Sequence, residues 1–515
     1  MVNPKMSNNC SGCLWTRRRF LGVSAAASLT VPELLQAVPA AEKIRIRILY
    51  SLHGPKQEKP DWPNQNFDFV PVMEHFNTAL SKKFRNMEFL PTLATGEEEA
   101  KKILSDDQNN AIDGYLVFQM NCWNRVVQTI ATSGKPVLYA DFQFGGSGGF
   151  LVYSAAFLRS QAANVGFIAS SRLEDLLAAV KCFEQAKKSR TAAGFADAVA
   201  QVRIKRTAKA GNLQCLADPL QTVSAQECAR QLQQSKILAV RGTNSGPAPS
   251  MMTIPVVYVP FSEVNEAWSS ADKEESRAVA DLWQNSASLV EGVSREILET
   301  SAAMYLAEKA VMKKYGANAI TINCLGGFYG GHIHAYPCLG FHQLLNEGLI
   351  GGCECDVRSA AAMVTLTAMT QGRPGYISDP VIDTAKRQII YAHCVASNRV
   401  FGPGGSTNPF QILTHSEDRQ GASVRSIMPV GYKTTTIEIH PDRKEILFHQ
   451  AKSVDNDPDD RACRTKLAAE PIGDLEKLFR AWDQWGWHRV TCYGDLKEPV
   501  YGLADVLGWK MIEEA

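Results

Sequence analysis

The feature that most constrains the fold is the alternation of short apolar runs of strand length with stretches of helical period. Lys43–Tyr50 (KIRIRILY) alternates basic and apolar residues and leads to the turn formers His53, Gly54 and Pro55. Residues 73–84 carry a helical period, and Ala111–Met120 (AIDGYLVFQM) reads as a buried strand. A turn at Ser133–Pro136 then separates a helix end from the strand Val137–Ala140. Strands that take turns with helices specify parallel βαβ units. The pattern resumes with Asn164–Ile168, Lys236–Val240, a long amphipathic helix within 282–314 and the buried strand Ala319–Cys324 (AITINC). The glycine cluster 145–149 reads as a hinge before this second unit. After Gly372 shorter strands and polar loops take over, at Gln388–Cys394, Gly431–His440 and Glu445–His449. The expected fold class is α/β: two Rossmann-like parallel α/β domains, residues 42–160 and 161–370, then a mainly antiparallel β domain over 371–515. A length of 515 residues fits about three domains.

Residues 1–41 have a different character. Thr16–Gly22 (TRRRFLG) precedes the mildly apolar stretch Val23–Val31 and then Ala37–Ala41 (AVPAA). A charged segment, an apolar segment and a small-residue cleavage site in that order read as a secretory signal. The paired arginines before Phe20 and Leu21 resemble the twin-arginine export motif, so the expected location is periplasmic. Thirteen cysteines would suggest disulfides in an exported protein. The twin-arginine route, however, carries proteins already folded in a reducing compartment. Cys10 and Cys13 would leave with the signal, and most of the others are expected to be small buried hydrophobes.

Composition excludes several function classes. A net charge of +1 leaves no electrostatic footprint for nucleic acid, and no uninterrupted apolar run is long enough to span a bilayer. Neither glycine cluster, 145–149 or 242–246, gives the G-x-G-x-x-G that opens a helix in a nicotinamide-binding unit. The acid run Asp455–Asp460 imitates a calcium loop but has Asp460 where the glycine belongs and Lys466 where the glutamate belongs. A solvated loop explains it better.

Cys353-Glu354-Cys355-Asp356 is harder to dismiss. Continued as a strand from Leu349, it would put both acids on one face and both thiols on the other. Cys-x-Cys is too tight for a zinc knuckle, and the nearest further cysteine, Cys338, lies fifteen residues back. The thiols therefore read as structural and the carboxylates as functional, near the carboxyl end of a strand where α/β sheets place ligands. For Asp356 a helix N-cap before Val357–Thr370 explains the residue equally well. Tyr376–Pro380 (YISDP) then reads as a strand ending in Asp379, one βα unit later and so beside Glu354 in a parallel sheet.

Residues 319–380 resemble the core of the L-fucose isomerase-like sugar isomerases: Cys-Glu-x-Asp, an Ala-rich helix, a Gln-Gly-x-Pro turn, and a strand ending in Asp-Pro. The likeness continues through Ile390–Cys394 (IYAHC), Leu413–Asp418 (LTHSED), Gly486–Thr491 (GWHRVT) and Gly494-Asp495. The resemblance implies a divalent metal, usually manganese, held by Glu354, Asp379 and His488. It also implies aldose–ketose isomerisation of an open-chain, L-fucose- or L-arabinose-like sugar through an enediolate, with Glu354 and Asp379 exchanging protons. Taken alone, His488 in the aromatic run 482–487 would read as a packed core histidine. Trp123, in Gln119–Trp123 (QMNCW), matches a tryptophan that lines the sugar site in this family, and a core tryptophan fits it equally. His393 and His415 are the further expected substrate contacts. The expected partners are a small-molecule sugar and other copies of the chain, with no nucleic acid. Two features depart from the family: the export signal, and a longer, histidine-rich loop at Gly326–His334. The rival readings are an exported sugar-binding or sensor protein without turnover, and an exported oxidoreductase.

Overall fold

Ile44, Ile46 and Ile48 point into the core from the first strand, Ile44–Ser51, while Arg45 and Arg47 on its other face pair with Glu88 and Asp107. The computed structural model describes residues 42–515, and Lys43–Ala515 form one unit. The expected signal segment and its two arginines lie outside the described residues.

The first sheet has five parallel strands in the order Met87–Ala94, Ile44–Ser51, Gly114–Gln119, Val137–Asp141, Val165–Ile168. Val165–Ile168 was expected in the second unit, yet it pairs with Val137–Ala140. The helices Leu173–Val180, Cys182–Ser189 and Phe195–Arg206 contribute to the same core. The first α/β layer therefore runs to Arg206, past the expected boundary at 160. The glycine cluster 145–149 is not a hinge either. It opens the helix Ser147–Arg159, and its glycines permit close approach. A Cβ on Gly146 would run into the Gln119 backbone, and one on Gly148 would come within 2.5 Å of the Trp487 ring.

The second sheet runs in the order Ile350–Cys353, Ala319–Ile322, Ile237–Val240, Ile254–Val259, Gly246–Met251. It is parallel except for the last edge strand. The expected long helix is Arg295–Tyr315, started by Ser294, whose side chain accepts from the Ile297 amide, and ended by Gly316 in the left-handed region.

The C-terminal layer is an antiparallel barrel of six strands. Lys433–His440, Arg489–Tyr493, Tyr376–Asp383, Gln388–His393, Thr465–Pro471 and Glu445–Asn456 follow one another around it, and Glu445–Asn456 closes it by pairing back to Lys433–His440. Lys510–Glu513 adds in parallel at one strand. Closure removes the exposed edges that an open sheet would leave. Tyr376–Asp383 thus belongs to the barrel. The expectation that Asp379 ends a strand of the parallel sheet is corrected: it lies in the middle of an eight-residue antiparallel strand.

Candidate metal centre at the junction of sheet and barrel

Glu354 is placed by a turn. The strand Ile350–Cys353 stops at Cys353, and Glu354 (φ 62°) and Cys355 (φ 55°) both adopt the left-handed conformation. Asp356 then caps the helix Val357–Met369, its Oδ1 accepting from the Arg358 and Ser359 amides at 3.0 and 3.1 Å. The expected two-faced alternation through Cys353–Asp356 fails because two consecutive left-handed residues end the strand before the pattern can continue. Among the described residues only one other such adjacent non-glycine pair occurs, Met252-Thr253. Conformations of that kind cost of order 1 kcal/mol each and gather at functional sites.

The partners of Glu354 come from the barrel. Ser378 is paired with Arg489 across two neighbouring strands, which sets His488 beside Asp379. His488 Nε2 lies 2.9 Å from Asp379 Oδ1 and 3.5 Å from Glu354 Oε2. His393, at the end of Gln388–His393, brings its Nε2 to 3.7 Å from Asp379 Oδ2 and 3.8 Å from Glu354 Oε1. One ligand atom from each of Glu354, Asp379, His393 and His488 falls within 4.8 Å of the others. Asp379 Oδ1 has the His488 nitrogen beside it, and His393 Nδ1 accepts from the Cys394 amide at 3.0 Å, so His393 Nε2 carries the proton and faces the two acids as a donor. Two carboxylates and the His488 nitrogen turned toward them by Asp356 bring acceptor lone pairs to one buried point, which a cation would satisfy. Two carboxylate oxygens and the His488 nitrogen suit a divalent ion of manganese type.

Asp356 does more than cap its helix. Its Oδ2 lies 2.8 Å from His488 Nδ1, which turns Nε2 toward the two acids. Burial would raise the Asp356 carboxyl, but the His488 hydrogen bond and charge and the Ser359 amide hold it below the ordinary range. Burial likewise works against ionised Glu354, yet the His488 and His393 charges leave it lowered. At Asp379 burial wins and the carboxyl is raised. Burial opposes a charge on His488, and the charges of Asp379 and Glu354 overcome it, so the imidazole is pushed up. The two acids also differ in access: the Glu354 side chain is 34% exposed, that of Asp379 4%.

An aromatic wall stands beside these groups. Trp487, next to His488, meets Trp62 at 5.5 Å and Trp123 at 5.9 Å, both edge to face. Trp123 is 52% exposed and has φ 65°, so it is not a core tryptophan. His393, expected at the sugar, stands among the metal-capable groups instead. His415 is also buried, but it gathers with Cys338 and Cys394 rather than with the carboxylates. In the histidine-rich loop, His332 stacks on Phe261 and His334 packs at a tilt against Trp268. Tyr329 alone turns back toward the site, its hydroxyl 3.0 Å from Glu417. Burial, Asp61 and Glu354 lift Glu417 to about 7 against the pull of His415.

Fold and site together define a mixed α/β protein with a candidate centre of two carboxylates and two imidazoles between a parallel sheet and an antiparallel barrel. No family model matches the chain. It is similar to a sulfoquinovose isomerase from Clostridium sp. (strain MSTE9), 26% identical over 213 residues, 40% of this chain and 46% of that protein. It is also similar to the sulfoquinovose isomerases of Priestia aryabhattai and Priestia megaterium, each 24% identical over 197 residues, 37% of this chain and 42% of theirs. The matched stretch spans less than half the length of these curated relatives.

Proposed function

We propose that the chain is a metal-dependent aldose–ketose isomerase acting on an open-chain sugar. The observation that carries the reading is the convergence of Glu354, Asp379, His393 and His488 on one point. The likeness to sulfoquinovose isomerases supports it, as does the resemblance to the L-fucose isomerase-like family. A divalent ion held by Glu354, Asp379 and His488, with manganese first among the candidates, would polarise the sugar carbonyl and stabilise an enediolate. The remaining work falls to the chain. Glu354 is the more accessible acid and takes a proton from the sugar carbon, then returns it to the neighbouring one. Asp379, buried and facing both imidazoles, supplies the second anionic ligand. Asp356 keeps His488 in the tautomer protonated at Nδ1, so that Nε2 faces the centre. The tryptophans 62, 123 and 487 offer an apolar flank and limit water beside the reacting carbons. The substrate range extends from L-fucose- and L-arabinose-like aldoses to sulfoquinovose. We also propose export by the twin-arginine route, from the Arg17-Arg18 motif, which comparison of precursor and mature masses in cell fractions would test.

The decisive experiment for the isomerase is incubation in heavy water with manganese and a panel of aldoses that includes sulfoquinovose. A carboxylate base exchanges its proton with solvent before returning it, so deuterium should enter at C1 or C2 of the sugar that turns over. Full metal occupancy with tight sugar binding, no interconversion and no exchange across the panel would replace the isomerase with a binding protein.

A further inference from the structure

Behind the carboxylate centre lies a second convergence that its chemistry does not use. Of the eleven described cysteines, Cys122, Cys182, Cys215, Cys228 and Cys492 are dispersed through the fold and Cys355 sits on the Glu354 turn, whereas the other five meet in one place. Cys324 and Cys338 each open a helix, Cys353 ends a strand of the second sheet, Cys394 follows a barrel strand, and Cys463 precedes another. All five are buried. Cys338 Sγ lies 3.5 Å from Cys394 Sγ. Ligand atoms of Cys338, Cys394 and His415 all fall within 4.8 Å of one another. Cys394 also contacts the thiols of Cys353 and Cys463.

We propose that Cys338, Cys394 and His415, completed by Cys463, form a buried structural zinc site distinct from the carboxylate centre. Three thiolates and one imidazole are a common structural zinc set, whereas the neighbouring centre offers carboxylates and imidazoles but no thiolate. The Cys338–Cys394 separation is far from a disulfide, which needs about 2.05 Å. It is close to the edge of a zinc tetrahedron, about 3.8 Å for Zn–S bonds of about 2.3 Å. Cys463 lies outside the group formed by the other three, but it contacts Cys394 and accepts from Ser416, next to His415, at 3.4 Å. A rotation of its side chain would close the tetrahedron, whereas Cys353 groups with His393.

The surroundings are those of an oriented ligand set. His415 Nδ1 faces Tyr329 Oη at 3.5 Å and Asp418 Oδ1 at 3.8 Å, which leaves Nε2 for the thiols. Tyr336 stacks on the ring at 5.1 Å and also hydrogen-bonds Asp418. The Tyr329 hydroxyl and the Asp418 charge thus face the nitrogen turned away from the thiols. Binding would release the three thiol protons to solvent and leave the zinc and its thiolates one negative charge in excess. Arg464 and Lys466, both buried and both within three residues after Cys463, supply positive charge beside it. The site would tie together the second sheet's helix at Cys338, the barrel at Cys394 and Cys463, and the loop at His415.

The test is metal analysis of the full chain produced with zinc and then dialysed against EDTA, which strips the more open carboxylate centre. Wild type should retain about one zinc per chain. Glu354→Gln should keep that zinc, and so should Cys353→Ala. Cys394→Ala and His415→Ala should lose it by at least about tenfold. Because these variants could fail to fold, a second measurement uses wild type grown with cobalt. Tetrahedral thiolate coordination should give intense visible bands and sulfur-to-cobalt charge transfer in the ultraviolet, both surviving EDTA. A zinc-free wild type, a Cys338–Cys394 disulfide found by peptide mapping, or a cobalt spectrum of six oxygen and nitrogen ligands would each overturn the proposal.

Discussion

The carboxylate centre is assembled from two regions built on opposite principles. On the sheet side, Glu354 hangs from a turn of two left-handed residues after a four-residue strand, and it is partly open to solvent. On the barrel side, Asp379, His393 and His488 sit in or beside closed antiparallel strands. Behind them the barrel carries a buried ionic network. Glu514 accepts from Arg489 at 2.6 and 3.1 Å and from His449 at 2.8 Å, and Arg489 lies over the Trp482 ring at 3.9 Å. The contrast separates duties: a proton-carrying acid needs access and some freedom, whereas the groups that hold its partners need rigidity. Substitutions on the turn should therefore change chemistry at little cost in stability, and those in the barrel the reverse.

The largest effect expected is on the turn side. Glu354→Gln keeps shape but can neither take a proton nor offer an anionic ligand, so kcat should fall by about 10⁴-fold or more. Its melting temperature should match wild type. A large loss of stability instead would mean that Glu354 is structural and the division of duties is wrong.

The barrel counterpart is Glu514→Gln. Leaving Arg489 buried and unpaired should cost about 3–5 kcal/mol at neutral pH. Burial works against this carboxylate, but the Arg489 and His449 charges hold it near 2, below its ordinary value of 4.5. A lowered folded-state pKa contributes stability above pH 4.5, and that contribution is lost as pH falls toward 2. Denaturation curves of the two proteins should accordingly converge over that window, and a gap that stays constant with pH would assign the loss to packing.

How much of this was legible in the sequence differs between the same two regions. The strand–helix alternation implies the parallel first layer, and resemblance points to Glu354, Asp379 and His488 before any geometry. Periodicity could not reveal the turn, because left-handed residues leave no apolar signature and neither Glu354 nor Cys355 is a glycine. It also misplaced Asp379: YISDPVID reads as a strand in either sheet, and only its neighbours Gln388–His393 and Arg489–Tyr493 decide which. The thiol cluster was hidden for a further reason. Its members come from five separated segments, so the spacing around Cys353 says nothing about the approach of Cys394 and Cys463. Asp356 had two open readings, cap or functional acid, and the structure contains both contacts.

Asp356 is where the two regions touch, and its substitutions sharpen the comparison at intermediate size. Asn is as good an N-cap as Asp, so Asp356→Asn should leave stability within about 0.5 kcal/mol of wild type. Without the carboxylate, His488 loses its orientation, and metal affinity or activity should fall about 10–100-fold. Asp356→Ala should add a capping loss of about 1 kcal/mol. If Asn proves as harmful to stability as Ala, the cap matters less than the bridge to the barrel.

The smallest effect tests the strain itself. Cys355, at φ 55°, holds a conformation that glycine adopts freely, while Ala392 occupies an ordinary strand position in the barrel, fully buried. Glycine at either position increases the entropy lost on folding. At Cys355 that cost is set against relief of roughly 1 kcal/mol of left-handed strain, and only a half-buried thiol is given up. At Ala392 nothing offsets it, and a buried methyl is lost as well. Cys355→Gly should therefore be neutral to about 0.5 kcal/mol stabilising, and Ala392→Gly about 1 kcal/mol or more destabilising, by denaturant titration. The Glu354 turn would also gain mobility, so a modest fall in kcat with unchanged metal content should accompany the first change. Equal destabilisation at the two positions would show that the turn stores no strain, and that Glu354 is held as firmly as the barrel groups it faces.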